Sequence, residues 1–185
     1  IGLNSVVQIF ISNTMSSMFK LDPPFGFFSV KAFIKHCAWV SQISFEIAKI
    51  LNLESKYDLL LAGLVNDIGL MAQAYATPEK FRLLIETCTN DKIDFAAAEK
   101  KLGLPHHDTL SAEILEKWQF PQEVITIIKY QHIPEDQRLK ILTKEQNKVI
   151  NVICLAELAA HRFGNSYKDY AQNTQVTRME LDKIG

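Results

Sequence analysis

Apolar positions recur at intervals of three and four along most of this 185-residue chain, and no sustained apolar/polar alternation is present. That is the period of helices packed on one side, not of strands. The most apolar stretch, Leu59 to Ala72 (LLLAGLVNDIGLMA), has only Asn66 and Asp67 as polar residues. Ser55 and Asp58 precede it and Thr77-Pro78 follows, which predicts one continuous buried helix, too short for a membrane span. Gly63 and Gly69 each cost such a helix about 1 kcal/mol relative to Ala. Close approach of neighbouring helices is the expected compensation. Asp67 needs a partner there, because an unpaired interior carboxylate is strongly unfavourable.

The other elements follow from the same reading. Asn4 or Ser5 caps a first helix to about Phe19, apolar around most of its circumference. Leu21-Asp22-Pro23-Pro24-Phe25-Gly26 interrupts the helical pattern. Ser29 then caps a long helix to about Leu51, with Phe33, His36, Cys37, Val40, Ile43, Ser44 and Ile47 on its stripe. The short Asn52–Ser55 link predicts that the Leu59–Ala72 helix returns antiparallel. Thr77 caps a helix that begins with Pro78 and reaches Cys88. A shorter one from Asp94 to Lys101 is closed by Gly103 and Pro105. His107 to Gln119 is the next. Pro121 opens another that carries Val124, Ile125, Ile128 and His132, and Pro134 stops it. Thr143 caps a last helix to about Phe163. The expected fold is all-α, an irregular bundle of about eight helices over residues 1–165, with a weakly patterned tail over 166–185.

Composition narrows the class. With 48% hydrophobic residues, 22% charged residues and a net charge of -1, the chain reads as one near-neutral globular domain. No basic footprint invites nucleic acid. Cys37, Cys88 and Cys154 show neither CxxC nor zinc spacing, which predicts reduced core cysteines in a cytoplasmic protein. No signal peptide is recognisable and no membrane partner is expected. The first residue is Ile1 rather than Met, so the chain reads as a piece of something longer.

Five histidines are present, and His36, His107 and His132 lie on apolar helical faces. His106 stands at the entry to the helix that begins with His107. His161 lies near a helix C-terminus, where a partly exposed cation suits the dipole. Singly, each is expected to be an ordinary core or surface histidine. Together with Asp67 they form a set of inward-facing polar groups, the way carboxylate-histidine metal sites are built in helical bundles.

Five segments occur in a telling order: Lys35-His36-Cys37, LAGLVNDIGLM over 61–71, His107-Asp108-Thr109-Leu110-Ser111, EKWQFPQEVITIIKYQH over 116–132, and Leu155-Ala156-Glu157. With them the chain resembles the HD superfamily of metal-dependent phosphohydrolases, and within it the HDOD branch of signalling domains. The resemblance covers about residues 1–163. It begins partway into an HDOD domain, implying that the family's N-terminal helices are absent here. The first helix, and the phenylalanines between Pro24 and Phe28, are then candidate surfaces for docking or homodimerisation. For the phenylalanine loop the other reading is three rings folded onto the core.

In the catalytic branch the resemblance implies metal held by a histidine, an adjacent His-Asp pair and a late Asp, with further histidines in some members. His36, Asp67, His107 and His132 match that pattern. Asn66 stands where the histidine of the pair is expected, Gln131 where the first of two paired histidines is expected, and Glu157 where the late Asp is expected. Leu70 replaces a lysine that often follows the pair. An amide is a poor transition-metal ligand, and metal-activated water needs both the ion's charge and an orienting shell. The resemblance therefore implies a non-catalytic regulatory domain of a bacterial cytoplasmic protein, acting through other proteins or attached sensor and output modules. Its remnant pocket would comprise His36, Asn66, Asp67, His107, Gln131, His132 and Glu157, with no catalytic residue, cofactor or metal. His36 or His107 would hydrogen-bond Asp67. The alternative is a divergent metal-dependent phosphohydrolase acting on a nucleotide or phosphodiester, with His36, Asp67, His107, His132 and Glu157 as ligands to a divalent metal.

Overall fold

A computed structural model describes residues 25–163, with Ile9, Asn13, Thr14, Ser17, Leu181, Asp182 and Ile184. The expected first helix and the tail over 166–185 lie outside the described residues, apart from those isolated positions. Between Phe25 and Phe163 all regular structure is helical, in nine segments: α1 Val30–Ile50, α2 Lys56–Leu64, α3 Ile68–Ala76, α4 Pro78–Asp91, α5 Phe95–Leu102, α6 His107–Lys117, α7 Gln122–Tyr130, the single turn α8 Glu135–Arg138, and α9 Lys144–Arg162. The fold is all-α, as the periodicity predicts.

Local chemistry explains most boundaries. Ser29 accepts from the Ala32 N–H at the start of α1, and Asp94 accepts from the Ala97 N–H at the start of α5. Thr143 and Gln146 form a reciprocal capping box that starts α9. Gly103 closes α5 with φ of 64°, a conformation glycine adopts without strain. Thr77 departs from expectation. Its Oγ1 donates back to the Gln73 carbonyl at 3.1 Å and does not cap α4. α7 ends at Tyr130, so His132 lies in the turn beyond the helix and not on its stripe. Pro134 disfavours helical backbone at Ile133, whose N–H bonds the Tyr130 carbonyl in a tight last turn.

The main correction concerns Leu59 to Ala72. The stretch is buried, but it is two helices: α2 ends at Leu64, and Asp67 adopts left-handed backbone with φ of 57° before α3 begins. The break falls where the chain passes between two apolar cores. Leu59, Ala62 and Val65 pack with Val40, Leu115, Ile128 and Ile153; Ile68, Leu70, Met71 and Ala74 pack with Phe33, Phe81, Leu84 and Phe95. A continuous helix would carry Asn66 and Asp67 on its own 100°-per-residue spiral. The turn instead aims both into the polar interior, where both are fully buried. By composition Lys56–Ala76 is apolar enough to cross a membrane, yet 78% of its most apolar window lies inside the fold.

The glycines behave as expected. A Cβ on Gly63 would overlap the Ser41 backbone of α1, and one on Gly69 would overlap the His107 carbonyl of α6. α1 and α2 are held at this separation by Ser41 Oγ donating to the Leu60 carbonyl at 2.7 Å and Ser44 Oγ donating to the Leu59 carbonyl at 3.1 Å. At the other crossing, the Gly69 N–H donates to Ser111 Oγ at 2.8 Å. The Phe25–Phe28 segment folds inward. Phe25 and Phe28 are buried with their rings edge-on to Phe81, so these two do not form an exposed patch. Cys37 and Cys88 are buried and Cys154 half-buried, all three unbridged.

A groove of about 460 Å³ lies between the α1–α2 link, α7 and α9, with Leu53, Ile127, Val149 and Ile150 among its lining and Glu54, Glu123 and Glu145 beside them. Close by, burial raises the pKa of Asp58 above the ordinary 3.8, and the charge of Glu123 adds to the effect. Because the folded state disfavours the ionised form, this group opposes folding above its folded pKa. The penalty is relieved as pH falls through that value toward 3.8. Carboxyl NMR should find Asp58 titrating above ordinary aspartates, with Glu123→Gln moving it down. An Asp58 titration unmoved by that substitution would contradict the assignment.

Candidate functional site

The seven pocket residues expected from sequence do converge on the interior, but in two separate groups. The first joins α1, the α2–α3 turn and α9. His36 Nε2 lies 2.9 Å from Glu157 Oε1, and Asn66 Nδ2 donates to the same oxygen at 3.0 Å. His161 Nε2 is 3.5 Å from Glu157 Oε2, and its ring lies 5.0 Å from that of His36. His161 is thus packed inside next to His36, not set out at the helix end as a partly exposed cation. An imidazole N–H and an amide both point at one carboxylate, a charge-assisted arrangement that satisfies buried groups in place.

The second group joins the α2–α3 turn, α6 and the turn after α7. Asp67 Oδ1 lies 3.6 Å from His107 Nε2, 3.6 Å from His132 Nε2 and 3.3 Å from Gln131 Nε2, which donates to it. His36 bonds Glu157, which corrects the expectation of a His36–Asp67 bond; His107 faces Asp67 at a separation long for a hydrogen bond. Asp108 enters the group unannounced: its Oδ1 is 3.3 Å from His107 Nε2 and 3.6 Å from His132 Nε2. One ligand atom from each of Asp67, His107, Asp108 and His132 lies within 4.8 Å of all the others.

Behind His107 stands Glu99. Its carboxylate accepts from the His107 backbone N–H and lies 2.8 Å from His107 Nδ1, and Gln73 Nε2 donates to it at 3.0 Å. His106 caps this edge, stacked on the His107 ring. The Asp108 carboxylate at 3.6 Å is the main influence raising the His106 pKa above the ordinary 6.5. Burial and His132 pull the other way, while the charges of Glu99 and Asp108 add to the rise.

Sequence reasoning missed Glu99 and Asp108. Glu99 sits among Lys100 and Lys101 and reads as a solvated residue, yet it shares a helical face with Phe95, Ala98 and Leu102. That shared face was the available signal. Asp108 is next to His107, and adjacent helical residues diverge by about 100°. Only the helix start places both beside Asp67.

The fit to a metal can be tested on these atoms. The full family-type set does not fit one ion. Glu157 is committed to His36 and Asn66, Asn66 offers only an amide, and Leu70 is buried in the apolar core with no cation in its place. The Asp67 group is chemically different, with two imidazoles and two carboxylates, a donor set suited to a borderline divalent ion.

The HDOD domain family model matches residues 1–134, and the chain belongs to that family; α9 with Glu157 lies beyond the matched region. Solved structures with similar folds include an HDOD domain protein of unknown function from Geobacter sulfurreducens, 18% identical with a TM-score of 0.79 over 99% of this chain and 61% of that one. The MmoQ response regulator from Methylococcus capsulatus str. Bath is 22% identical, with a TM-score of 0.65 over 87% of this chain and 59% of its own. A presumptive phosphohydrolase from Shewanella amazonensis SB2B is 18% identical, with a TM-score of 0.68 over 89% and 57%. This chain therefore spans less than two thirds of each of them. No curated protein matches the chain.

Proposed function

We propose that this HDOD domain is a non-catalytic regulatory module of a bacterial cytoplasmic protein. It acts by contact with other proteins or with sensor and output modules attached to it. The observation that carries the reading is the division of the pocket. Glu157 is held by His36 and Asn66 on one side, and Asp67 is held among His107, Asp108, Gln131 and His132 on the other. A hydrolytic centre of the family type needs its ligands around an ion with one position left for water, and a set divided between Glu157 and Asp67 does not bring them to one ion. The likeness to a response regulator supports a signalling context, while the likeness to a phosphohydrolase keeps the rival in view.

The test is an assay of the purified chain with a generic phosphodiester and with nucleotides, in the presence of manganese, iron or zinc. Turnover should not exceed that of the metal alone. Metal-dependent turnover that disappears in Asp67→Ala would overturn the reading and favour the hydrolase.

A further inference from the structure

We propose that Asp67, His107, Asp108 and His132 form a closed binding site for a divalent ion of zinc type, with Glu99 as the carboxylate that orients His107. This site leaves out His36 and Glu157 and recruits Asp108, a residue the sequence pattern does not single out. It also runs against the expectation of an ion-free pocket.

Three observations carry it. The first is spacing. A tetrahedral ion with ligand bonds of about 2.0–2.2 Å separates its ligand atoms by roughly 3.3–3.6 Å. The four carboxylate-imidazole separations here are 3.3 Å once and 3.6 Å three times.

The second is two orphaned atoms that face each other. His107 Nε2 and Asp108 Oδ1 are buried, have no hydrogen-bond partner, and lie 3.3 Å apart. Buried polar atoms are paired in the great majority of cases, and His107 is only 2% exposed. A cation between the two satisfies both.

The third is the tautomer. With Nδ1–H donating to Glu99 at 2.8 Å, the lone pair of His107 is left on Nε2, facing Asp67 and Asp108. This carboxylate-histidine-metal relay fixes the ring and raises its basicity as a ligand. Without an ion, that lone pair would face two carboxylates in a low-dielectric interior.

His132 keeps 30% of its side chain exposed, which gives an ion a way in from solvent. Four protein ligands fill a tetrahedron and leave no position for a reacting water, the pattern of a structural site. Occupancy would tie the α2–α3 turn, the start of α6 and the turn after α7 to one point. Metal availability would thereby stiffen the side of the domain where those elements meet. The site does not depend on the regulatory reading above.

The experiment strips the purified chain with a chelator, titrates it with zinc by calorimetry and counts the bound ion by elemental analysis. One zinc per chain is expected, with a melting temperature that rises on addition and falls back with chelator. Asp108→Asn and His132→Gln, both mild in shape, should each weaken zinc binding tenfold or more. Glu99→Gln should weaken it by about 10–100-fold, the range for an outer carboxylate. Glu157→Gln, in the other polar group, should leave zinc affinity as it is. The proposal is overturned by absence of stoichiometric zinc binding, or by binding that survives Asp108→Asn and His132→Gln unchanged. Bound zinc without phosphodiester turnover would support both the site and the non-catalytic reading. Bound zinc with turnover would sink that reading and, because a filled tetrahedron has no place for a reacting water, the closed form of the site with it.

Discussion

Gly63→Ala should destabilise the domain by about 3 kcal/mol, at or beyond the upper end of the usual range for an overpacked core. Helix propensity alone predicts the opposite sign, a gain of about 1 kcal/mol for replacing a helical glycine by alanine. The two effects oppose each other, and packing decides. The added Cβ would run into the Ser41 backbone and come within 2.9 Å of the Val40 carbonyl carbon. Backbone of a packed 21-residue helix cannot step aside as a flexible side-chain tip can. α1 and α2 would have to separate, stretching the Ser41 and Ser44 bonds that tie them. Urea denaturation gives the answer directly as a fall in midpoint at constant slope. A variant as stable as the parent, or more so, would mean that α1 and α2 do not approach this closely.

Glu157→Ala is expected to cost about 3 kcal/mol, in the range for stripping buried hydrogen-bonding groups of a charged partner. His36 and Asn66 are fully buried, and both address Glu157 Oε1. Truncation leaves two donors facing a small void, with little water to replace the lost acceptor. Glu157→Gln keeps a carbonyl oxygen in reach and should cost clearly less. Comparison of the two variants separates the hydrogen bonds from the volume. Equal losses would show that the carboxylate acts only as filler between α1 and α9. A negligible loss in both would show that the His36–Asn66–Glu157 group does not form.

Much of the fold was legible because its causes are local. Ser29, Asp94, Gly103 and Thr143 mark helix ends through bonds or backbone freedom spanning three or four residues. The spacing of Phe33, Cys37 and Val40 names the buried face of α1 without reference to anything else. The break at Asn66–Asp67 was not legible. The apolar run is continuous in sequence, and nothing local marks where it leaves one core for another. Asn66 at that position reads as a lost ligand. In the fold it is a donor to a carboxylate 91 residues away. Glu99 shows the same limit, since a glutamate beside two lysines looks solvated until α5 is packed against the start of α6.

By itself, then, the order of residues determined an all-helical HDOD-type chain, most of its helix ends, and the burial of His36, Asp67 and His107, but not that of Glu99, Asp108 or His161. Those features depend on periodicity, capping and short-range bonds, which adjacent residues already specify. Only the tertiary structure decided which acid meets which histidine. Glu157 went to His36 and Asn66, while Asp67 went to His107, Asp108 and His132, because partners 40 to 121 positions apart meet through the crossing of whole helices. Two glycines and a left-handed aspartate set those crossings.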